Sequence, residues 1–110
     1  MPWPKLFYVN EQEDRFVPMY LVERQFEVGE EDMPAVGRRS RSLIEREFPQ
    51  IIWEHSHVTL DDRGLVKTFC LYAAPSEDAV REHADQLGMH QVLAVYEVVG
   101  DVTPKDFPSV

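Results

Sequence analysis

Apolar residues follow two different periods along this chain, and the switch between them predicts its secondary structure. Alternation with a period of two indicates strands at residues 18–27, 51–60, 65–72 and 92–99. Spacing of three or four indicates helices at residues 32–48 and 76–87. The predicted order is therefore strand, helix, strand, strand, helix, strand.

Turn and capping residues support these boundaries. Asp32 is placed to cap the first helix, and Pro49 ends it. Ser76 is placed to cap the second helix, and Gly88 ends it at the C′ position. The inward face of this second helix is expected to consist of Ala79, Val80, His83, Ala84 and Leu87. His90, just beyond Gly88, is expected to lie in a loop.

This order predicts a ferredoxin-like α+β fold, βαββαβ, with a four-stranded antiparallel sheet and two helices on one face. The folded domain is expected at residues 18–104, between an N-terminal extension at 1–17 and a C-terminal tail at 105–110. The other sheet face would be left open with more apolar and aromatic side chains than a monomer should expose. We therefore expect a homodimer formed through the open sheet face.

The central hairpin, residues 51–72, carries His55, His57 and the only cysteine, Cys70. A four-residue loop between its strands places His55 opposite Cys70, and a two-residue loop places His57 there. A three-residue loop would instead put Cys70 on the face away from both histidines. The first two registers are favoured because they place the apolar side chains of the hairpin on one face. These residues are Ile52, Val58, Leu60, Leu65, Phe69 and Leu71. Trp53 is expected to share the face of His55 and His57.

Charge and composition narrow the possible partners. Twenty acidic against eleven basic side chains give a formal charge of −9, which argues against nucleic-acid or anionic-membrane binding and permits a metal cation. No apolar run approaches the roughly 20 residues needed to cross a bilayer. The single cysteine excludes an intrachain disulfide, and a reducing cytoplasm is the expected location. The short basic run at residues 38–41 is interpreted as solvated helix surface.

Two imidazoles and a facing thiolate would form a transition-metal site. Such borderline and soft ligands suit Ni²⁺, Zn²⁺, copper or Fe²⁺, and the hypothetical ligands are His55, His57, Cys70 and His83. Water, His90 or a partner chain would complete the coordination. If the helices cover the face of Ile52 and Phe69, His83 meets Cys70 only in an alternative register. If the helices cover the opposite face, the two residues lie on the same side of the sheet. A buried cysteine acting as a small hydrophobe remains the alternative for Cys70.

A family resemblance extends over residues 19–104. It is carried by Trp53-x-x-Ser56-x-Val58-x-x-Asp61, Phe69-Cys70-Leu71-Tyr72-x-Ala74-Pro75, Ala79-Val80-Arg81-x-His83-Ala84 and Gly88. This pattern resembles a small bacterial family that is catalogued as a domain of unknown function and includes nickel-binding proteins. The resemblance implies a ferredoxin-like fold and a dimer, and it favours nickel as the bound metal. Cys70 and His83 are the positions that match the family pattern best, and His55 and His57 match it less closely.

Two other functions remain open. Dimeric ferredoxin-like domains also form small-molecule monooxygenases and isomerases with a pocket between sheet and helices, which Trp53, His55, Tyr72 and Tyr96 would line. Familiar catalytic motifs are missing from the sequence, so an enzyme is the less favoured hypothesis. The third possibility is a non-catalytic interaction module, for which the extension with Trp3, Phe7 and Tyr8 is the best indication.

Overall fold

The computed structural model describes residues 8–10 and 15–109, with side chains described from Val17 onward. This part of the chain forms two α-helices and six strands, in the order β1 Tyr8–Asn10, β2 Arg15–Val17, β3 Met19–Phe26, α1 Met33–Glu47, β4 Ile52–Leu60, β5 Val66–Ala73, α2 Glu77–Leu87 and β6 His90–Val98. Single turns of 3₁₀ helix at Glu30–Asp32 and Pro104–Asp106 complete the secondary structure of the described residues.

Strands β3 to β6 form one antiparallel sheet in the order β4-β5-β3-β6. Together with α1 and α2 they give the order βαββαβ, so the predicted ferredoxin-like α+β fold is confirmed. Strand β4 is one edge of this sheet and β6 is the other, while β3 and β5 lie at its centre. Strands β1 and β2 pair separately as a two-stranded antiparallel sheet.

Alternation along the two central strands separates a buried face from an open one. The even-numbered residues from 20 to 26 on β3 are buried beneath the helices. The even-numbered residues from 66 to 72 on β5 are buried on the same face. Apolar packing of these side chains against α1 and α2 forms the core, which includes Tyr20, Val22, Phe26, Ile44, Phe48, Val66, Tyr72, Val80 and Leu87.

The ends of the second helix follow the predicted capping. The Ser76 Oγ accepts a hydrogen bond from the Ala79 backbone N–H at 3.2 Å, and Gly88 adopts a φ of 71° that favours glycine. The prediction that His90 lies in a loop is wrong, because β6 begins at this residue. His90 pairs with Phe26, and the two rings stack at 4.8 Å.

The strand at the end of the extension contacts the folded domain. Val17 is buried and packs with Met19 and Ala73 at one end of the open sheet face. Burying this apolar side chain stabilises the junction between β2 and β3. Trp3 and Phe7, on which the interaction-module hypothesis depends, lie outside the described residues.

Candidate metal centre

An exposed pair of imidazoles lies on the open face of the sheet. His55 and His57 are both solvent-exposed, and their ring centroids are 5.3 Å apart. They are two residues apart on β4, and since side chains alternate across a strand, both project to the same side. Strand β4 is an edge strand, so the pair is open to solvent on this side of the sheet.

Apolar residues surround this imidazole pair on the neighbouring strands. His55 pairs with Leu71 and His57 pairs with Phe69. The row from His55 continues across the sheet through Leu71, Leu21 and Tyr96. Next to it, the Lys67 Nζ lies 2.7 Å from a Glu23 carboxylate oxygen. The open face therefore combines apolar surface, one ion pair and two imidazoles.

Cys70 lies on the other side of the sheet, so the predicted register is wrong. It pairs with Ser56 on β4 and with Val22 on β3, and it is buried beneath the helices. Five residues, 61–65, connect the paired ends of the two strands. A loop of five residues, like the disfavoured loop of three, places Cys70 on the face away from both histidines. The reason is that changing the loop length by one residue moves every side chain of the paired strand to the opposite face.

Asp61 explains why the loop has this length. Its Oδ1 accepts hydrogen bonds from the backbone N–H groups of Arg63 at 2.8 Å and Leu65 at 2.9 Å, while Gly64 adopts a φ of 79°. The Leu65 bond above all holds the pKa of Asp61 below its usual value. One carboxylate therefore organises the whole connection.

A β-bulge at Glu54 changes the face of Trp53. The register shifts between Trp53 and His55, so Trp53 lies on the helix side, where its Nε1 donates to the Ser56 Oγ at 2.9 Å. The prediction that Trp53 shares a face with the histidines is wrong, because the bulge inserts one residue into the alternation. The pocket expected from Trp53, His55, Tyr72 and Tyr96 is not formed, since His55 and Tyr96 lie on the open face.

His83 is fully buried between α2 and the sheet. Its Nε2 lies 3.1 Å from the Ser40 Oγ, and its ring forms T-shaped contacts with the rings of Phe48 and Tyr72. Burial first, and then the positive charge of Arg24, lowers the pKa of His83 to about 4. The ring is therefore neutral at neutral pH, and its Nδ1 has no hydrogen-bond partner among the described residues.

The four predicted ligands divide into two groups. His55 and His57 lie on the open face, whereas Cys70 and His83 lie on the helix side. The Cys70 Sγ lies 3.4 Å from the Thr68 Oγ1, and His83 contacts Ser40. Within residues 8–10 and 15–109, no three histidine, cysteine or acidic side chains come together as a metal-ion group. The assignment of the four residues as ligands stays a prediction.

The sequence reasoning missed a buried cation on β3. Arg24 is 2% exposed and lies over the ring of Tyr72, with its Cζ 5.1 Å from the ring centroid. Burial raises the pKa of Tyr72, and the Arg24 charge opposes this rise. The alternation of Tyr20, Val22 and Phe26 was the available signal, because it assigns the position between Val22 and Phe26 to the buried face.

The fold and this site define a small ferredoxin-like α+β protein with an exposed imidazole pair on its open sheet face. The chain belongs to the family described as nickel responsive protein SCO4226-like, which matches residues 20–98. This confirms the resemblance to a family that includes nickel-binding proteins. Neither a curated protein nor a solved structure shows significant similarity to the chain. No helix among the described residues is long and apolar enough to cross a membrane.

Proposed function

We propose that this protein binds nickel, or a similar transition-metal ion, through His55 and His57. The observation that carries the proposal is the exposed imidazole pair, with ring centroids 5.3 Å apart on one face of β4. Neutral imidazole is a ligand that Ni²⁺, Cu²⁺ and Zn²⁺ accept. The description of the family as nickel responsive favours nickel among these ions.

The donor set fits a metal that keeps open coordination positions. One chain supplies two nitrogen ligands on its open face, so further ligands have to come from water or from a second chain. Cys70 and His83 face the opposite side, and if they bind metal they form a second, buried centre. The single cysteine supports a cytoplasmic location as part of this proposal.

A homodimer formed through the open face is the second part of the proposal. Tyr96 is 54% exposed on this face, beside the partly buried Leu21 and Leu71. A two-fold-related copy would cover this apolar surface with its own equivalent. It would also bring a second His55 and His57 pair to the same interface.

The metal proposal is tested by nickel titration of untagged protein at pH 7.5, using isothermal titration calorimetry with metal content measured by inductively coupled plasma mass spectrometry. The double variant His55→Ala/His57→Ala should weaken nickel binding by at least about a hundredfold, because even the loss of an outer-shell partner costs roughly 10–100-fold. Cys70→Ser and His83→Gln are the matched controls and should retain wild-type affinity.

Two results would contradict this assignment. Wild-type nickel affinity in the double variant, with loss of binding in Cys70→Ser, would move the centre to the helix side of the sheet. An absence of binding in the wild-type protein at micromolar nickel, zinc and copper would remove the metal function itself. Either outcome leaves the dimer proposal to be decided separately.

The dimer is tested by substituting two residues of similar exposure on opposite faces of the sheet. Tyr96→Glu places a charge on the open face, whereas Val58→Glu changes a residue that is 55% exposed on the helix side. Sedimentation equilibrium should show a monomer for Tyr96→Glu and a dimer for Val58→Glu, because an unpaired charge opposes burial of an interface. A dimer in both variants would exclude the open face as the interface.

A further inference from the structure

Arg24 presents a complete, unused hydrogen-bonding edge inside the protein. Its Nε and Nη2 atoms are buried and have no hydrogen-bond partner among the described residues, and the ion pairs formed there do not include Arg24. In a guanidinium group, the Nε–H and one Nη2–H point in the same direction. They form the fork that binds the two oxygens of a carboxylate or phosphate group.

The contact with Tyr72 does not satisfy this edge. The Arg24 Cζ lies 5.1 Å from the Tyr72 ring centroid, a cation–π contact that stabilises the charge. A side-chain hydrogen bond from Arg24 also lowers the pKa of Tyr72, but the Nε and Nη2 atoms of the fork remain without a partner among the described residues. Buried charges are normally paired or hydrogen-bonded, since desolvation without compensation is costly. An unpaired, buried fork therefore indicates a place for an anionic group.

Two histidines beside Arg24 add further unpartnered atoms. The His90 Nδ1 lies 2.7 Å from the Gly88 carbonyl oxygen, which only accepts, so this nitrogen carries the proton. The His90 Nε2 is then an acceptor in the neutral ring, and it is buried without a partner, like the His83 Nδ1. Burial and the charge of Arg24 lower the pKa of both rings.

A cavity lies next to this region, on the helix side of the sheet. It has a volume of about 480 Å³, is open to solvent, and lies between α2 and the start of β6. His90 and Val92 form part of its lining, and Val92 is the residue that pairs with Arg24 across the sheet. Arg81 lines the same cavity, as does Asp85, so an entering anion meets a charge of each sign.

We propose that Arg24 binds a small oxyanion, the carboxylate or phosphate group of a ligand that enters through the cavity between α2 and β6. The two oxygens of this group accept hydrogen bonds from the parallel Nε–H and Nη2–H groups of Arg24. His90 accepts a hydrogen bond at Nε2 when the ligand carries a protonated oxygen or a hydroxyl group. This site lies on the helix side of the sheet and is separate from the imidazole pair of the open face.

The wild-type protein supplies the first test. In ¹H–¹⁵N spectra at pH 7, the buried Arg24 Nε–H should move downfield and saturate during titration with sodium acetate or inorganic phosphate. Sodium chloride at the same ionic strength should not produce this shift. Saturation with acetate alone identifies a carboxylate ligand, and saturation with phosphate alone identifies a phosphorylated one. An Nε–H signal unmoved by both probes overturns the proposal.

Two matched substitutions provide the second test. Arg24→Lys keeps the charge but removes the fork, and should weaken binding of the active probe by at least about tenfold, as expected for a lost hydrogen bond to a charged group. Arg39→Lys is the control, because the Arg39 fork already donates to the carbonyl oxygens of Leu87 at 3.1 Å and Gln86 at 2.9 Å. Equal affinity in Arg24→Lys and the wild-type protein would show that Arg24 does not hold the anion.

Discussion

Acidification should destabilise this protein mainly through the buried imidazole of His83. His83 is fully buried, and its pKa falls from 6.5 to about 4 in the folded chain because of burial and the nearby Arg24 charge. The unfolded chain therefore binds a proton at a pH where the folded chain does not. Stability contributed by the neutral ring is fully present above pH 6.5 and is lost as the pH falls toward 4.

The size of this effect follows from the two pKa values. Linkage between them gives a loss of about 2 kcal/mol in unfolding free energy from pH 7.5 to pH 5, and about 3 kcal/mol by pH 4. For a domain of this size, the loss at pH 5 corresponds to a decrease in Tm of roughly 10 °C. Burial lowers the pKa of His90 as well, which adds to the loss in the same direction.

Urea denaturation of the wild-type protein and of His83→Gln, from pH 7.5 to pH 4, isolates the contribution. Glutamine does not titrate in this range and can still hydrogen-bond to Ser40, so the variant should lose about 2 kcal/mol less than the wild type by pH 5. His57→Gln, which changes an exposed imidazole, should follow the wild-type curve. A constant difference between wild type and His83→Gln across the range would refute the reasoning.

Four substitutions that change the backbone or a helix cap complete the set. Gly64→Ala should lower the unfolding free energy by about 1 kcal/mol, because Gly64 has a φ of 79° that alanine rarely adopts. Gly37→Ala should raise it by roughly 0.5–1 kcal/mol, because alanine has the higher helix propensity in α1. An added Cβ meets no atom within 4 Å at either site. Chemical denaturation measures both, and effects of equal sign would contradict the explanation. Ser76→Ala should cost about 1 kcal/mol by losing the N-cap of α2. In thermal melts, Asp32→Ala should cost less, since the Asp32 side chain makes no capping bond.

The predictable part of this fold rests on residues whose effect is local. The spacing of apolar residues, the helix caps and the residues that end a helix depend only on neighbours in the chain. Both helices and the four strands of the main sheet can therefore be predicted from the sequence. The inward face of α2, including His83, follows from helical spacing alone. The strand order then follows from the general rules for connections.

The candidate site was harder to predict because it depends on residue counts at two irregular positions. The bulge at Glu54 and the loop at residues 61–65 each shift the alternation by one residue. An apolar pattern favoured an even loop, but the hydrogen bonds of Asp61 and the positive φ of Gly64 select an odd one. Arg24 was missed because a charged residue at a buried strand position contradicts the expected pattern.

The position of Cys70 behind the sheet has a consequence for metal selectivity. Thiolates favour soft ions such as Cu(I) and bind them tightly, whereas imidazoles suit borderline divalent ions. Because the only thiol is buried on the helix side, an ion bound at the proposed site would meet the imidazole nitrogens of His55 and His57, and water. If the proposed site binds a metal ion, we expect this ion to exchange readily with the free divalent metal, as in a sensor rather than in a storage protein.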